Sequence, residues 1–314
     1  MTESSFAAVR TTAQDGGTQG GVSVRVPATS ANLGPGYDCF GLALQRFDDV
    51  TVTLRPQGLR VDVQGVGAGQ VPTDAGHLVV RAMAKAWQAT GRELPPVWLR
   101  CSNTIPHGGG QGSSAAAIVG GLLLGRGLLP EPARGLLPDS SILQLATDLE
   151  GHPDNVAPAL LGGFTIAWTE QNGLARAVRR DVHPGVRAVV FTAAQASSTE
   201  RSRALLPETV SHADAAANSA RAALMVHALT TDPSYLLEAT QDRLHQQYRA
   251  SSMPESAGLV AELREAGIAA VISGAGPSVL ALSTAQLELD AWRRSGFTAE
   301  EIGICRRGSV VDPL

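Results

Sequence analysis

The sequence predicts an α+β fold in two domains, and three observations carry that prediction. The chain has 314 residues, which at roughly 100–200 residues per domain leaves room for two cores. It is 44% hydrophobic and 17% charged, the composition of a globular protein. Strand-like alternation and helix-like spacing occur in both halves, and no internal repeat is present.

Taken in order, residues 1 to 21 are polar and lack the cationic start and apolar centre of a signal peptide, so they are expected to form a disordered tail. From Gly21 the β-branched alternation VSVRV predicts a strand, broken at Pro27 by a loop rich in Ser, Asn, Gly and Pro. VTVTLR and VDVQGV predict further strands, residues 74–90 a helix and 97–101 a strand. A glycine loop at 107–112 leads into a helix from Ser113 to about Leu124, and a second helix covers 141–149. After it the pattern drifts back towards strand through EGHPDNVAPALLGGFTIAW. Gln171 to Gly185, with a turn, mixed charges and Pro184, is the expected linker. It separates an N-terminal domain at 22–180 from a C-terminal domain at 181–314. In the latter, 188–191 predicts a strand, 213–229, 234–249 and 257–265 helices, and 269–273 and 278–282 two strands around a second glycine turn.

Composition excludes several function classes. A net charge of −4 argues against a general nucleic-acid binder or an anionic-membrane binder. The apolar stretch from Ala115 to Leu129 is broken by five Gly or Arg positions and is too short to span a bilayer. Cys39, Cys101 and Cys305 form no CxxC pair, which fits a reducing cytoplasm and no structural zinc. Lys85 is the only lysine, in a helical segment far from any glycine loop, so neither a Walker A loop nor a protein-kinase lysine is available. A bound nucleotide would have to be held by backbone N–H groups and arginines.

Four segments could carry chemistry. The run Ile105-Pro106-His107-Gly108-Gly109-Gly110-Gln111-Gly112-Ser113-Ser114-Ala115-Ala116 is a glycine loop opening a helix. Glycines let backbone N–H groups approach an anion, and a helix N-terminus favours phosphate. The match of 110–115 to GxGxxA does not make a dinucleotide fingerprint, because Pro106 separates it from a strand and Glu131 lies in a Pro-flanked loop. No GxSxG elbow is present. The loop from Pro27 to Asp38 packs two glycines, two prolines, Asn32 and Asp38 into twelve positions; it is either a structural turn or one wall of a site. Glu150-Gly-His152-Pro-Asp154-Asn155 gathers two carboxylates, an imidazole and an amide, and Glu150 beside a phosphate loop would suit Mg²⁺. Ser273-Gly-Ala-Gly-Pro-Ser278 is a hairpin turn or a backbone wall for a ligand.

In this order, PATSANLGPGYDCFGLAL, IPHGGGQGSSAA, EGHPDNVAP and SGAGPS resemble the GHMP superfamily of small-molecule kinases: galactokinase, homoserine kinase, mevalonate kinase and phosphomevalonate kinase. The resemblance spans roughly residues 22 to 282. The first and third motifs are most similar to the homoserine kinase branch. It implies a domain similar to ribosomal protein S5 domain 2, with a left-handed βαβ crossover, followed by a ferredoxin-like domain. It further implies ATP over residues Pro106 to Ala116, Mg²⁺ on Ser114 and Glu150, and Asn155, Glu150 and Ser114 at the reacting centre. Asn32, Asp38, His152, Arg203 and Arg249 would face the substrate, L-homoserine, for phosphorylation of its hydroxyl in threonine biosynthesis. A homodimer is left open; nucleic-acid and membrane partners are not expected.

The implied substrate is a zwitterion, which needs a carboxylate for its ammonium and arginine forks for its carboxylate; Asp38 with Arg203 and Arg249 meets that demand. Asn155, where related enzymes carry Asp, is expected to orient the hydroxyl rather than to act as base, with Asp38 as the rival base. Two positions depart from the family pattern. Gln111 replaces a usual Leu or Met, adding a polar contact or pointing to solvent, and His77 replaces a common Asn near the nucleotide. The alternatives are a kinase of the same fold for a sugar or isoprenoid alcohol, which would not need the two arginines, and a sensor that has lost turnover.

Overall fold

The computed structural model describes residues 20–196 and 199–314; the remainder of the expected tail lies outside them. A seven-stranded sheet has the order β11-β1-β2-β4-β3, with β5 on β2 and β6 on β5. Its strands are β1 (Gly21–Ala31), β2 (Phe40–Leu54), β3 (Arg60–Gly65), β4 (Val97–Asn103), β5 (Phe164–Thr169), β6 (Ala175–Arg180) and β11 (Val310–Pro313). β2 is long enough to serve two neighbours on one edge: its end pairs with β4 from Asp49 to Leu54, its start with β5 from Phe40 to Leu42. β3 and β4 are parallel and are joined through α1 (Leu78–Gln88).

Three helices pack against this sheet, α2 (Ser113–Leu128), α3 (Asp139–Glu150) and α4 (Pro153–Leu161), and α1 packs on α2 and α3. On α1, Val79, Val80, Met83, Ala86 and Trp87 are buried, the spacing of one helical face. α2 is apolar nearly all round because it lies between β1, α1 and α3. It runs past the expected end at Leu124 because Gly121 and Gly125 are contact positions. A Cβ on Gly125 would sit 2.9 Å from the Met83 carbonyl oxygen, so bare backbone lets α1 approach.

The second sheet is antiparallel, in the order β10-β7-β9-β8, from β7 (Arg187–Ala193), β8 (Ala269–Ile272), β9 (Val279–Ser283) and β10 (Phe297–Ile302). This is the ferredoxin-like order. Between β7 and β8 run α5 (Thr199–Ala204), α6 (His212–Thr230), α7 (Leu236–Ala239), α8 (Gln246–Arg249) and α9 (Pro254–Glu265). No described helix is long and apolar enough to cross a membrane.

Five expectations are corrected. The first strand does not break at Pro27: β1 continues to Ala31 through a register slip, so residues 27–31 of the expected loop are strand. The predicted helix at 234–249 is two short helices, because Asp242 accepts backbone N–H bonds from Leu244, His245 and Gln246 and so turns the chain. The stretch after Glu150 does not drift to strand at once: α4 starts at Pro153, where a missing N–H costs nothing. The expected linker 171–185 contains β6, paired from end to end with β5. The change of sheet falls between Arg180 and Arg187, but 310–313 return to pair with β1, so the last strand of 181–314 belongs to the first sheet.

Candidate functional site

The glycine loop lies at the mouth of a cleft between the sheets. Gly108, Gly110 and Gly112 have φ of +62°, +71° and +71°, values that side chains resist. α2 begins at Ser113 after Gly112, and no side chain caps it, so its first-turn N–H groups are open to an anion. Ser273 Oγ donates to the Gly110 carbonyl at 2.5 Å, and a Cβ on Gly110 would run into the Ser273 carbonyl. The second glycine turn is therefore both a hairpin, closed by Ser273 N–H to Ser278 O at 2.9 Å, and a buttress for the first. Pro106 and Gly108 to Ser114 line the cleft. His107 and Ala116 instead line an adjoining pocket with Asp48, His77 and Cys101, while Ala115 is buried in the core. His77 caps α1, accepting the Val79 N–H at 3.3 Å.

The junction of α3 and α4 supplies the adjoining rim. Glu150 is the last residue of α3, turned by Gly151 at φ +91°, and His152 precedes Pro153 of α4. The Ser114 hydroxyl donates to Glu150 Oε2 at 2.7 Å, bringing two hard oxygen donors together beside the α2 N-terminus. Burial raises the Glu150 carboxyl above its ordinary range against the opposing Ser114 hydrogen bond. Asn155 Oδ1 accepts the Thr29 hydroxyl at 2.8 Å, which leaves its Nδ2 hydrogens for the cleft. His152 Nδ1 is hydrogen-bonded to Asp154, and although burial opposes it, that carboxylate raises the imidazole's affinity for its proton.

The third wall joins the loop after β1 to the second half of the chain. Asn32, Leu33 and Asp38 all adopt positive φ, a cluster of strained backbone. Asn32 Nδ2 donates to the Gly274 carbonyl at 3.0 Å and its Oδ1 accepts the Asp38 N–H at 2.9 Å. Arg203 of α5 grips Asp38 with both guanidinium arms, at 2.9 and 2.5 Å, and also donates to Tyr37 Oη at 2.9 Å. Both guanidinium groups stack on Tyr37, Arg203 at 5.5 Å and Arg249 at 5.4 Å from the ring centroid.

Arg249 of α8 is only 2% exposed and lines the cleft. It donates to the Ser202 carbonyl at 3.2 Å and lies 3.4 Å from His245 Nδ1. His245 Nε2 lies 2.8 Å from the Gly34 carbonyl, which can only accept, so Nε2 carries the hydrogen and Nδ1 is left as the acceptor. Burial lowers the His245 pKa, in keeping with a neutral ring. Among the described residues no carboxylate forms a salt bridge with Arg249. Holding a buried cation without a salt bridge is costly, which makes Arg249 a candidate for binding an anionic group.

The candidates Asn32, Asp38, Ser114, Glu150, His152, Asn155, Arg203 and Arg249 therefore all line one cleft. In the free site Asp38 and Arg203, both expected to face the substrate, are paired with each other. Asp154, one of the two carboxylates of the EGHPDN run but given no role of its own there, is 2% exposed and also lines the cleft. Sequence reasoning missed Thr29, Tyr37 and His245. Tyr37, one of only three tyrosines and next to Asp38, could have been noticed; Thr29 and His245 carry no signal beyond residue type. Asp38, His152 and Asp154 bring ligand atoms within 4.8 Å of one another, but Arg203 and the His152–Asp154 bond already occupy them.

Comparison with known proteins places this geometry. Residues 77–163 match the GHMP kinases N-terminal domain and residues 225–297 the GHMP kinases C-terminal domain. Homoserine kinase of Streptomyces coelicolor is 49% identical over 296 residues, covering 93% of this chain and 95% of that protein. Homoserine kinase of Clavibacter michiganensis is 50% identical over 298 residues, covering 92% and 93%. The crystal structure of homoserine kinase from Cytophaga hutchinsonii superposes with a TM-score of 0.78 at 25% identity, covering 96% of this chain and all of that one. Since half the residues are shared along nearly the whole length of such relatives, the chain belongs to the GHMP kinases, on their homoserine kinase branch.

Proposed function

We infer that the protein transfers the γ-phosphoryl group of ATP to the side-chain hydroxyl of L-homoserine, giving O-phospho-L-homoserine for threonine biosynthesis. The observation that carries this reading is the buried, carboxylate-free Arg249 facing the same cleft as the uncapped N-terminus of α2. One end of the cleft suits a triphosphate; the other suits the carboxylate of a small amino acid.

The purine fits the adjoining pocket, which shares Ser113 and Ser114 with the cleft and is lined by His77, Val79, Cys101 and His107. The phosphates then meet the N–H groups of the loop and of the α2 first turn. Ser114 and Glu150 fit Mg²⁺: they are hard oxygen donors already in contact, and a cation would relieve the burial that disfavours the Glu150 charge. When bound, the metal supplies neutralisation of the charge that spreads over the transferred group.

In the free site Asp38 and Arg203 satisfy each other. A zwitterion exchanges that pair: its ammonium takes Asp38, and its carboxylate takes Arg203 and Arg249. Asn155 accepts the Thr29 hydroxyl with its oxygen and can present its N–H hydrogens to the cleft; it can orient the hydroxyl, but a neutral amide is too weak a base to take the hydroxyl's proton. The proton leaves with the transferred phosphoryl oxygens or water. Catalysis rests on positioning and electrostatics.

ADP release with Mg-ATP and L-homoserine, L-serine, mevalonate or galactose tests the reading. Selective turnover of homoserine is expected. Preference for mevalonate or galactose would move the substrate assignment, and ATP binding without turnover of any of these would favour a sensor.

A further inference from the structure

Gln111 stands among the glycines of the loop and contributes to the cleft lining, yet the residue is 0% exposed and its side-chain amide bonds Thr192 and Arg46, which lie outside that lining. Its carbonyl accepts the Thr29 N–H of β1 at 3.0 Å. Its Nε2 donates to Thr192 Oγ1 of β7 at 2.9 Å, and its Oε1 accepts from Arg46 of β2. The other arm of Arg46 reaches Glu300 of β10 at 2.5 Å.

Arg46 arrives there through a slip in register. β1 pairs Pro27 with Phe47 but Ala28 with Leu44, so Gln45 and Arg46 are unopposed on β2. Such a bulge re-aims side chains, and this one sends Arg46, whose side chain is only 15% exposed, across to the second sheet. The gap between Arg46 and Thr192 calls for one acceptor and one donor on a planar group, which is what a glutamine amide provides. An apolar side chain of similar volume would leave the Thr192 hydroxyl and one arm of Arg46 without this partner.

We propose that Gln111 is a positioning residue that straps the phosphate loop to the second sheet, so that affinity for the ATP phosphates depends on contact between the sheets. Its side chain acts through the loop backbone and touches no phosphate. The proposal rests on residues 108–114 being the phosphate site.

The test uses the full chain carrying Gln111→Leu, Thr192→Val or both, with ATP titrated by calorimetry, KM measured for ATP and for homoserine, and Tm recorded. Gln111→Leu is expected to weaken ATP about tenfold, the effect of losing one hydrogen bond to a charged group, while leaving the homoserine KM within about twofold. Thr192→Val, losing a neutral bond, should weaken ATP roughly threefold. The double variant should be no weaker than Gln111→Leu alone, because the strap is already cut. ATP affinity within about twofold of wild type in Gln111→Leu would overturn the proposal, as would equal rises in both KM values with a lowered Tm. If Gln111→Leu does not fold, Thr192→Val decides, and unchanged ATP affinity there overturns it. A wild-type protein that binds no ATP would instead defeat the phosphate-site reading, so the two failures are distinct.

Discussion

The two walls of the cleft recognise charge by different means. On the first-sheet side, the loop through Gly108, Gly110 and Gly112 presents backbone N–H groups at a helix end, and Ser114 and Glu150 contribute oxygens. On the second-sheet side, recognition depends on two side chains, Arg203 and Arg249, from helices of six and four residues that Tyr37 and His245 hold in place. A backbone cradle needs particular residues in succession; a side-chain receptor needs only that distant residues converge. The first tolerates few substitutions but is conformationally simple, whereas the second keeps a buried charge waiting for its ligand.

The largest effect expected is on the first wall. Glu150→Gln should lower kcat by about 10²–10³, roughly 3–4 kcal/mol, by analogy with the loss of one preorganised electrostatic contact at a reacting centre. Near-wild-type turnover at modest Mg²⁺ would remove Glu150 from the metal assignment. On the second wall, Arg249→Met should raise the homoserine KM by about 10²-fold, within the roughly 2–5 kcal/mol range for a desolvated charge pair, with little change for ATP. Because Arg249 is buried without a carboxylate partner, the same variant should be at least as stable as wild type by thermal denaturation. A large loss of Tm would make Arg249 a structural cation. Next, Gly110→Ala places a side chain at φ +71° against the Ser273 carbonyl. Strain of about 1–3 kcal/mol should appear as a several- to hundredfold rise in the ATP KM, and ATP kinetics indistinguishable from wild type would show that the two turns need not touch.

This contrast also explains what could be read beforehand. The loop at 105–116, the EGHPDN run and the SGAGPS turn are contiguous, and physical chemistry names a use for each from composition and order. Arg203 and Arg249 were identified only through family resemblance, since a lone arginine in a helix has the same local pattern whether solvated or buried. Their partners were less legible still: His245 is defined by one bond to Gly34, 211 residues away in sequence. In the fold, strongly periodic elements such as α1 and β4 were legible. β6 and β10 are half-exposed strands with weak alternation, and β11 pairs with β1 across nearly the whole chain, a relation that no local window contains. The break at Thr240–His245 depends on the Asp242 carboxylate winning three N–H groups from a helix that apolar spacing alone would continue.

The smallest effect tests whether the first wall is strained at all. Burial raises the Glu150 pKa in the folded protein, so the folded state holds that proton more tightly than the unfolded chain. Stability from this group therefore falls as pH rises from the unfolded carboxylate value, about 4.3, through the raised folded value, and the deficit persists above both. Glu150→Gln removes the titration while keeping a hydrogen-bond acceptor for Ser114. Without added Mg²⁺, the variant should melt above wild type near neutral pH, and the difference should vanish below about pH 4, where the carboxyl is protonated in both folded and unfolded chains. Added Mg²⁺ should then raise the wild-type Tm alone, because only the carboxylate gains from the cation. A variant that melts below wild type at neutral pH would mean that the Ser114–Glu150 contact stabilises the empty site. The first wall would then be as relaxed as its glycine backbone, and the burden of an unmatched charge would lie wholly with Arg249.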